Sequence, residues 1–281
     1  VRASAPASSA NLGPGFDALA VALDLRTEVE VVPAASLSVV SEGTGSQLPS
    51  DASHLAARVA SAVAGTDRLA ITVRSEIPVG RGLGSSAALA VAAAAAAGAE
   101  DPLAWGAQVD GHPENAAASV LGGLVAAADI DGVAVARRLP LDTSLRFVVV
   151  IPDLVLPTAE ARSLLDGNVT RADAVFNLGR MGLLLAGLAD ASALVAGAGD
   201  DRLHQEARAV LFPEAPTLLA GLRAAGATTS MWSGAGPSLL AVTTESAADE
   251  LAASAIRLLA EHRVPGTVRT LAADMRGLIL T

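Results

Sequence analysis

The sequence contains no cysteine, so neither a disulfide framework nor a thiolate metal site can hold it together. It contains no lysine either: all 19 basic residues are arginine. That removes Schiff-base chemistry, a lysine general base and the lysine of a Walker A loop from the available mechanisms. Tyrosine is absent and aromatic residues make up 2% of the chain, too few to stack the bases of a single strand. A net charge of −10 would also repel a phosphate backbone, so no nucleic-acid partner is expected. A small anion held in a local arginine pocket is not excluded by that charge. The longest apolar run, from Gly82 to Ala99, is mostly alanine and glycine. It reads as a buried helix, and no membrane span is expected. No basic segment followed by an apolar core opens the sequence, so no signal peptide is expected, and a reducing cytoplasm is the compatible location.

What is present is enough for a substantial core. The chain has 281 residues and is 52% hydrophobic, room for one large or two modest domains. Strand-like and helix-like segments alternate, an α/β or α+β pattern. Strands are expected at Thr27–Val32 and Leu69–Val73, then a loop at Val79–Ser86 and a helix to about Ala97. Two helices, Leu103–Val109 and Glu114–Leu121, flank Gly111-His112-Pro113, and a hairpin follows at Leu124–Ala128 and Val133–Ala136. Phe147–Ile151 is an apolar strand, and a domain change is expected near residue 145. Beyond it come helices around Glu160–Leu165, Ala172–Leu188, Leu203–Val210 and Thr217–Ala224. Strands Thr228–Trp232 and Leu239–Thr243, a helix Ala247–His262, and strands near Val268–Leu271 and Gly277–Leu280 finish the chain.

The most informative stretch is Pro78-Val79-Gly80-Arg81-Gly82-Leu83-Gly84-Ser85-Ser86-Ala87-Ala88. Its glycines let backbone N–H groups converge without Cβ obstruction. Ser85 and Ser86 stand where the loop becomes a helix, and the free N–H groups and dipole there favour an anion. Their hydroxyls can cap the helix, bind a phosphate oxygen or reach a magnesium ion. A glycine-rich turn with ordinary serine capping would look the same in isolation. The stretch is neither a Walker A loop nor a dinucleotide fingerprint, because the lysine and the glycine spacing are wrong. Two further segments flank it in sequence. Pro6–Asp17 holds Gly13-Pro14-Gly15, a tight turn with Asn11 and Asp17 on either side. Ser233-Gly234-Ala235-Gly236-Pro237-Ser238 lies between two expected strands, where small residues admit a ligand close to the backbone.

Together these three segments resemble the signature motifs of the GHMP kinases, the middle one being similar to P-x-x-x-G-L-G-S-S-A-A. The first motif, the segment Asp110–Asn115 (similar to E-G-H-P-D-N) and Thr158–Arg162 (similar to T-x-E-A-R) resemble the version found in members that phosphorylate L-homoserine. The resemblance runs from about Pro6 to Ser238. It implies an α+β fold of two domains: a ribosomal protein S5 domain 2-like, ATP-binding domain over 1–144 and a ferredoxin-like domain over 145–281. It implies ATP and Mg2+ as cofactors, with the triphosphate on the loop residues Pro78, Gly80, Arg81, Gly82, Leu83, Gly84, Ser85, Ser86, Ala87 and Ala88, and with Gly234 and Gly236 also binding the cofactor. Ser86 and Asp110 are the implied metal ligands. Asn11, Asp17, His112, Thr158, Arg162 and Arg208 are the implied substrate residues. Asp17, as an orienting group, and Asn115, beside the transferring phosphoryl, are the implied catalytic ones. Arginine suits a substrate carboxylate because its planar fork binds both oxygens. A homodimer is a family expectation.

The sequence departs from the pattern in places. Asp110 is one methylene shorter than the usual glutamate, Glu114 stands where aspartate is usual, and Val21 and Trp232 differ from expectation beside the first and third motifs. Two other readings follow: a kinase of the same family acting on another small alcohol, and a catalytically weak ATP-binding regulatory relative.

Overall fold

The computed structural model describes residues 1–165 and 167–281. The chain opens with β1 (Arg2–Ala10), the long β2 (Leu19–Pro33) and β3 (Ser38–Gly43), then α1 (Leu55–Ala64) and β4 (Leu69–Ser75). Three helices follow, α2 (Ser85–Ala96), α3 (Pro102–Asp110) and α4 (Glu114–Leu121), and then the hairpin β5 (Leu124–Ile130) and β6 (Val133–Leu139). β7 (Leu145–Pro152) starts a second sheet. After it come α5 (Thr158–Ser163), α6 (Arg171–Ala189), α7 (Gln205–Arg208), α8 (Ala215–Ala224), β8 (Thr229–Trp232) and β9 (Leu239–Thr244). α9 (Ala248–Glu261), β10 (Gly266–Leu271) and β11 (Ile279–Leu280) complete the chain.

The first sheet runs β11-β1-β2-β4-β3, with β5 and β6 attached to the other end of β2. β2 is long enough to serve two neighbours: residues 27–33 pair with β4 and residues 19–21 with β5. Its partner β1 shifts register between Pro6 and Ala7, where proline has no N–H for the ladder. The second sheet, β10-β7-β9-β8, is antiparallel throughout. Counted from β7, its strands lie in the order fourth, first, third, second, the ferredoxin-like arrangement. β11 pairs with β1, so the last strand belongs to the first sheet and not to the half of the chain that precedes it. Arg26 fixes that return by donating to the Gly277 carbonyl and pairing with Asp274.

Packing explains the apolar patterns. In β7, Val148 and Val150 join a core with Leu218 and Leu222 of α8 and Leu251 of α9. Phe147, Val149 and Ile151 join the larger core of the first sheet. A strand covered on both faces has no polar side, which is why this segment is an unbroken apolar run. α2 is likewise buried all round, Ala87 to Ala96 being in the core. Small alanines there face small alanines of β1, Ala3, Ala5 and Ala7. α6 is long and apolar enough, by length and composition alone, to cross a bilayer. It carries Arg171, Asp173 and Arg180 and packs Leu184 and Leu188 into the main core, as a surface helix of a globular fold does. α7 is four residues long, shorter than the helix that the sequence pattern predicts over 203–210. Asp201 accepts from the N–H groups of Leu203, His204 and Gln205 and so starts the turn late.

Candidate active site

The loop before α2 is shaped by two glycines. Gly84 caps the helix with φ +65°, and a Cβ there would lie 2.0 Å from Ser8 Oγ. Gly82 has φ +70°, and a Cβ would lie 2.3 Å from the Ser233 carbonyl oxygen. No side chain caps α2, so the N–H groups of its first turn remain available to an anion. The close approach is locked from both sides. Ser8 N–H donates to the Leu83 carbonyl at 3.2 Å, and Ser233 Oγ donates to the Gly82 carbonyl at 2.7 Å.

The first motif leaves β1 through a left-handed turn, with φ +70° at Asn11, +42° at Leu12 and +53° at Asp17. Asparagine tolerates that conformation and also ties the turn shut. Its Oδ1 accepts from the Asp17 N–H at 3.0 Å, and its Nδ2 donates to the Gly234 carbonyl at 2.9 Å. Arg208 Nη1 donates to the same carbonyl at 2.8 Å. Arg162, from α5, holds both Asp17 oxygens in a fork, each at 2.8 Å.

Between the loop and the arginines lies an acidic group. Glu114 is fully buried at the start of α4, and its Oε1 is 2.5 Å from His112 Nδ1. Burial opposes an imidazolium at His112, but Glu114, Asp110 and Asp17 together outweigh it and raise its pKa. Burial pushes Asp110 up to about 6, against the pull of His112. Asn115 Oδ1 accepts from Ser8 Oγ at 2.8 Å, which joins α4 to β1. Arg208 is nearly fully buried, and burial lowers its pKa to about 10, against the attraction of Asp17.

Most of these groups line one cavity of about 270 Å³. Its wall includes Asn11, the loop from Gly80 to Ser86 apart from Arg81, Asp110, His112, Asn115, Thr158, Arg162, Arg208 and Gly234.

The description "GHMP kinases N terminal domain" matches residues 52–123, and "GHMP kinases C terminal" matches residues 178–260. The chain is 41% identical to the homoserine kinase of Solibacter usitatus over 251 residues, covering 84% of this chain and 82% of that one. It is 40% identical to the homoserine kinase of Streptomyces avermitilis, covering 90% of this chain and 88% of that one. A crystal structure of homoserine kinase from Cytophaga hutchinsonii superposes with a TM-score of 0.86 at 25% identity, covering 100% of this chain and 97% of that one. The chain belongs to the GHMP kinase family.

The cavity wall brings together most of the expected residues and leaves others outside it. Pro78, Arg81 and Gly236 are outside the cavity wall, and Gly236 N–H is used by the Ser233 carbonyl. Ala87 and Ala88 are outside it too: both side chains are buried, and the Ala88 N–H donates to the Gly84 carbonyl at 3.0 Å. Asp17 is not in the wall itself but is reached through Arg162. Four wall residues are not among the expected site residues: Glu114 and Ala235 lie inside the motifs, and Val109 and Leu156 carry no sequence signal. Ser8 carries no local signal for its role, because its partners Leu83 and Asn115 are remote in sequence. Trp232 is buried beneath the third motif, where a Cβ on Gly236 would lie 2.4 Å from its ring. Such a ring fits only because position 236 is glycine.

Proposed function

We propose that this GHMP kinase transfers the γ-phosphoryl group of ATP to the side-chain hydroxyl of L-homoserine, in threonine biosynthesis in the cytoplasm. The observation that carries the reading is the composition of one cavity wall: an anion-ready helix start and two guanidinium groups, Arg162 and Arg208, share it. A phosphate-binding end thus adjoins an end suited to a carboxylate. The relatives at about 40% identity are homoserine kinases.

Phosphoryl transfer needs alignment and charge neutralisation more than covalent help. The loop N–H groups and Ser85 hold the phosphates. A second cavity of about 210 Å³ shares Ser85 and Ser86 with the first and is lined by Leu48, Pro49, Leu55, Val73, Val79 and Leu89. Its apolar wall suits the nucleotide base. Ser86 and Asp110 supply the all-oxygen donors that Mg2+ prefers, and the burial that raises Asp110 is the strain a cation would relieve. Mg2+ bound there would neutralise phosphate charge. Asp17 and Arg162 pair with one another in the structure. An amino acid inserting between them gives its carboxylate to Arg162 and leaves Asp17 as acceptor for one of the substrate's N–H or O–H donors. A zwitterion can do this with every charge partnered. An uncharged sugar cannot. Asn11, His112 and Thr158 complete the substrate wall, with Asn115 beside the transferring group.

The test is ADP release with ATP and Mg2+, comparing L-homoserine with mevalonate, galactose and L-threonine. Turnover confined to homoserine is expected. Turnover on another alcohol alone refutes the substrate, and nucleotide binding without any turnover refutes the activity.

A further inference from the structure

His204 stands just before α7 and is 1% exposed. Its two ring nitrogens meet partners of opposite kind. Nε2 lies 2.8 Å from the Gly13 carbonyl oxygen, which can only accept. Nδ1 lies 2.8 Å from Nη1 of Arg208, which can only donate. One proton arrangement satisfies both: hydrogen on Nε2, lone pair on Nδ1, ring neutral. An imidazolium would set N–H against N–H and a second positive charge beside a guanidinium. Burial works in the same direction and lowers the pKa to about 4.

The surroundings leave the ring little freedom. Phe16 stacks on it, centroids 5.1 Å apart and planes at 25°. The charged neighbours are Arg208, Asp201, whose Oδ2 is 3.7 Å from Nε2, and more remotely Asp17. Asp201 is engaged elsewhere, accepting from Asn177 Nδ2 and from three backbone N–H groups. Arg208 divides its own donors. Nη1 is taken by His204 and Gly234, while Nε has no partner.

We propose that neutral His204 is a positioning residue for substrate binding: it accepts from Arg208 and donates to Gly13, fixing the guanidinium relative to the turn that carries Asn11 and Asp17. The donors of Arg208 left over by this arrangement then meet the substrate carboxylate without a search for orientation. The role rests on the homoserine reading above, because it needs a carboxylate to be clamped.

The experiment compares wild type, His204→Leu and His204→Gln, with L-homoserine and ATP varied separately and folding followed by Tm. Glutamine offers one acceptor and one donor on a single amide, so it can keep both contacts. Leucine keeps neither. His204→Leu is expected to raise the KM for homoserine about tenfold or more, the scale of a lost hydrogen bond to a charged group. The KM for ATP should stay within about twofold, and glutamine should recover most of the homoserine effect. An effect spread equally over both substrates, or confined to Tm, overturns the proposal. Should wild type not turn over homoserine, the functional reading fails instead. Titration calorimetry with homoserine then decides: weaker binding by His204→Leu, recovered by His204→Gln, supports the role, and equal or absent binding in all three overturns it. Should the leucine variant not fold, the 15N imidazole resonances of wild type decide, the His204 signal being the one lost in His204→Gln. An Nε2–H tautomer at neutral pH is expected, and an Nδ1–H tautomer or an imidazolium overturns it.

Discussion

Replacing Arg162 by alanine separates what the residue does for the fold from what it does for the substrate. Its fork to Asp17 is close, 2.8 Å on each side, but open to water, with side chains 42% and 31% exposed. Screening limits such a pair to about 1 kcal/mol or less. The guanidinium also lies 5.5 Å from the Phe16 centroid, a contact of about 0.5–1 kcal/mol at this exposure. Asp17 keeps its backbone bond to Asn11 after the change. The expected loss of stability is therefore about 1–2 kcal/mol, a fall in Tm of about 2–8 °C for a chain of this size. The effect on turnover should be far larger. Two charge-assisted hydrogen bonds to a substrate carboxylate are together worth about 3 kcal/mol or more. Their loss lowers kcat/KM on the order of 100-fold. Arg162→Lys keeps the charge and loses the fork, so it should fall between the two. Coupled ADP release and thermal melting on the same samples provide both numbers. A kcat/KM within threefold of wild type would refute the clamp, and a Tm lower by more than about 15 °C would make Arg162 a structural residue.

Three other outcomes are expected. Gly84→Ala puts a methyl group 2.0 Å from Ser8 Oγ at a left-handed position, so ATP affinity should drop by at least about tenfold in a nucleotide titration; wild-type affinity would show that the loop is not the phosphate site. Asn115→Ala removes the acceptor of Ser8 and a hydrogen bond to Asp110. It should reduce kcat by about tenfold or more while the KM for homoserine changes little, and an effect on KM alone would contradict its placement beside the transferring group. The third concerns pH. His204 titrates at about 4 in the fold and about 6.5 unfolded, so the unfolded chain binds more protons between those values and stability falls as pH drops through that window. The contribution is at most about 3 kcal/mol. Asp110, raised to about 6, acts in the opposite sense over an overlapping range, being stabilising below its unfolded value and losing that as pH rises through 6. The readout is thus the difference between wild type and His204→Gln in urea midpoints at pH 7 and pH 4.5, and equal shifts in both proteins would refute the buried neutral histidine.

How much of this was legible depended on whether the signal was local. α4 runs from Glu114 to Leu121 as expected, because proline and a glycine pair bound it in the sequence. The loop before α2 announced itself by its glycines, and the third motif by its small residues. β1 gives only a weak strand signal, since Ala3, Ala5, Ala7 and the buried Ser8 and Ser9 are small residues of low strand propensity interrupted by Pro6. They form a strand because α2 covers them closely, which is a tertiary cause. α1 went unread partly because its cap is His54, whose Nδ1 accepts from the Ala56 N–H in place of the usual serine or aspartate. β3 pairs in parallel with β4 across an intervening helix, and β11 pairs with a strand more than 270 residues away. No local pattern encodes either. Glu114 differs from the pattern only in standing where aspartate is usual, and nothing local shows that it is buried against His112.

The motifs matter together because they share atoms. The Gly234 carbonyl accepts from Asn11 of the first motif and from Arg208 of the second half of the chain. A carbonyl oxygen has two lone pairs, so both are used. Gly234 N–H in turn donates to the Ala10 carbonyl, and Ser233 holds the Gly82 carbonyl of the phosphate loop. Two adjacent residues of the β8–β9 turn, Ser233 and Gly234, are therefore fixed relative to the strand that leads into the substrate turn, to the helix start that faces phosphate and to an arginine of the carboxylate clamp. Donor and acceptor of a phosphoryl group must meet within a few tenths of an ångström. Here that distance is set by hydrogen bonds that cross from one sheet to the other. Small residues at positions 82, 84, 234 and 236 serve geometry as much as flexibility: at 82 and 234 they let two backbones touch, and at 84 and 236 they make room for the Ser8 and Trp232 side chains.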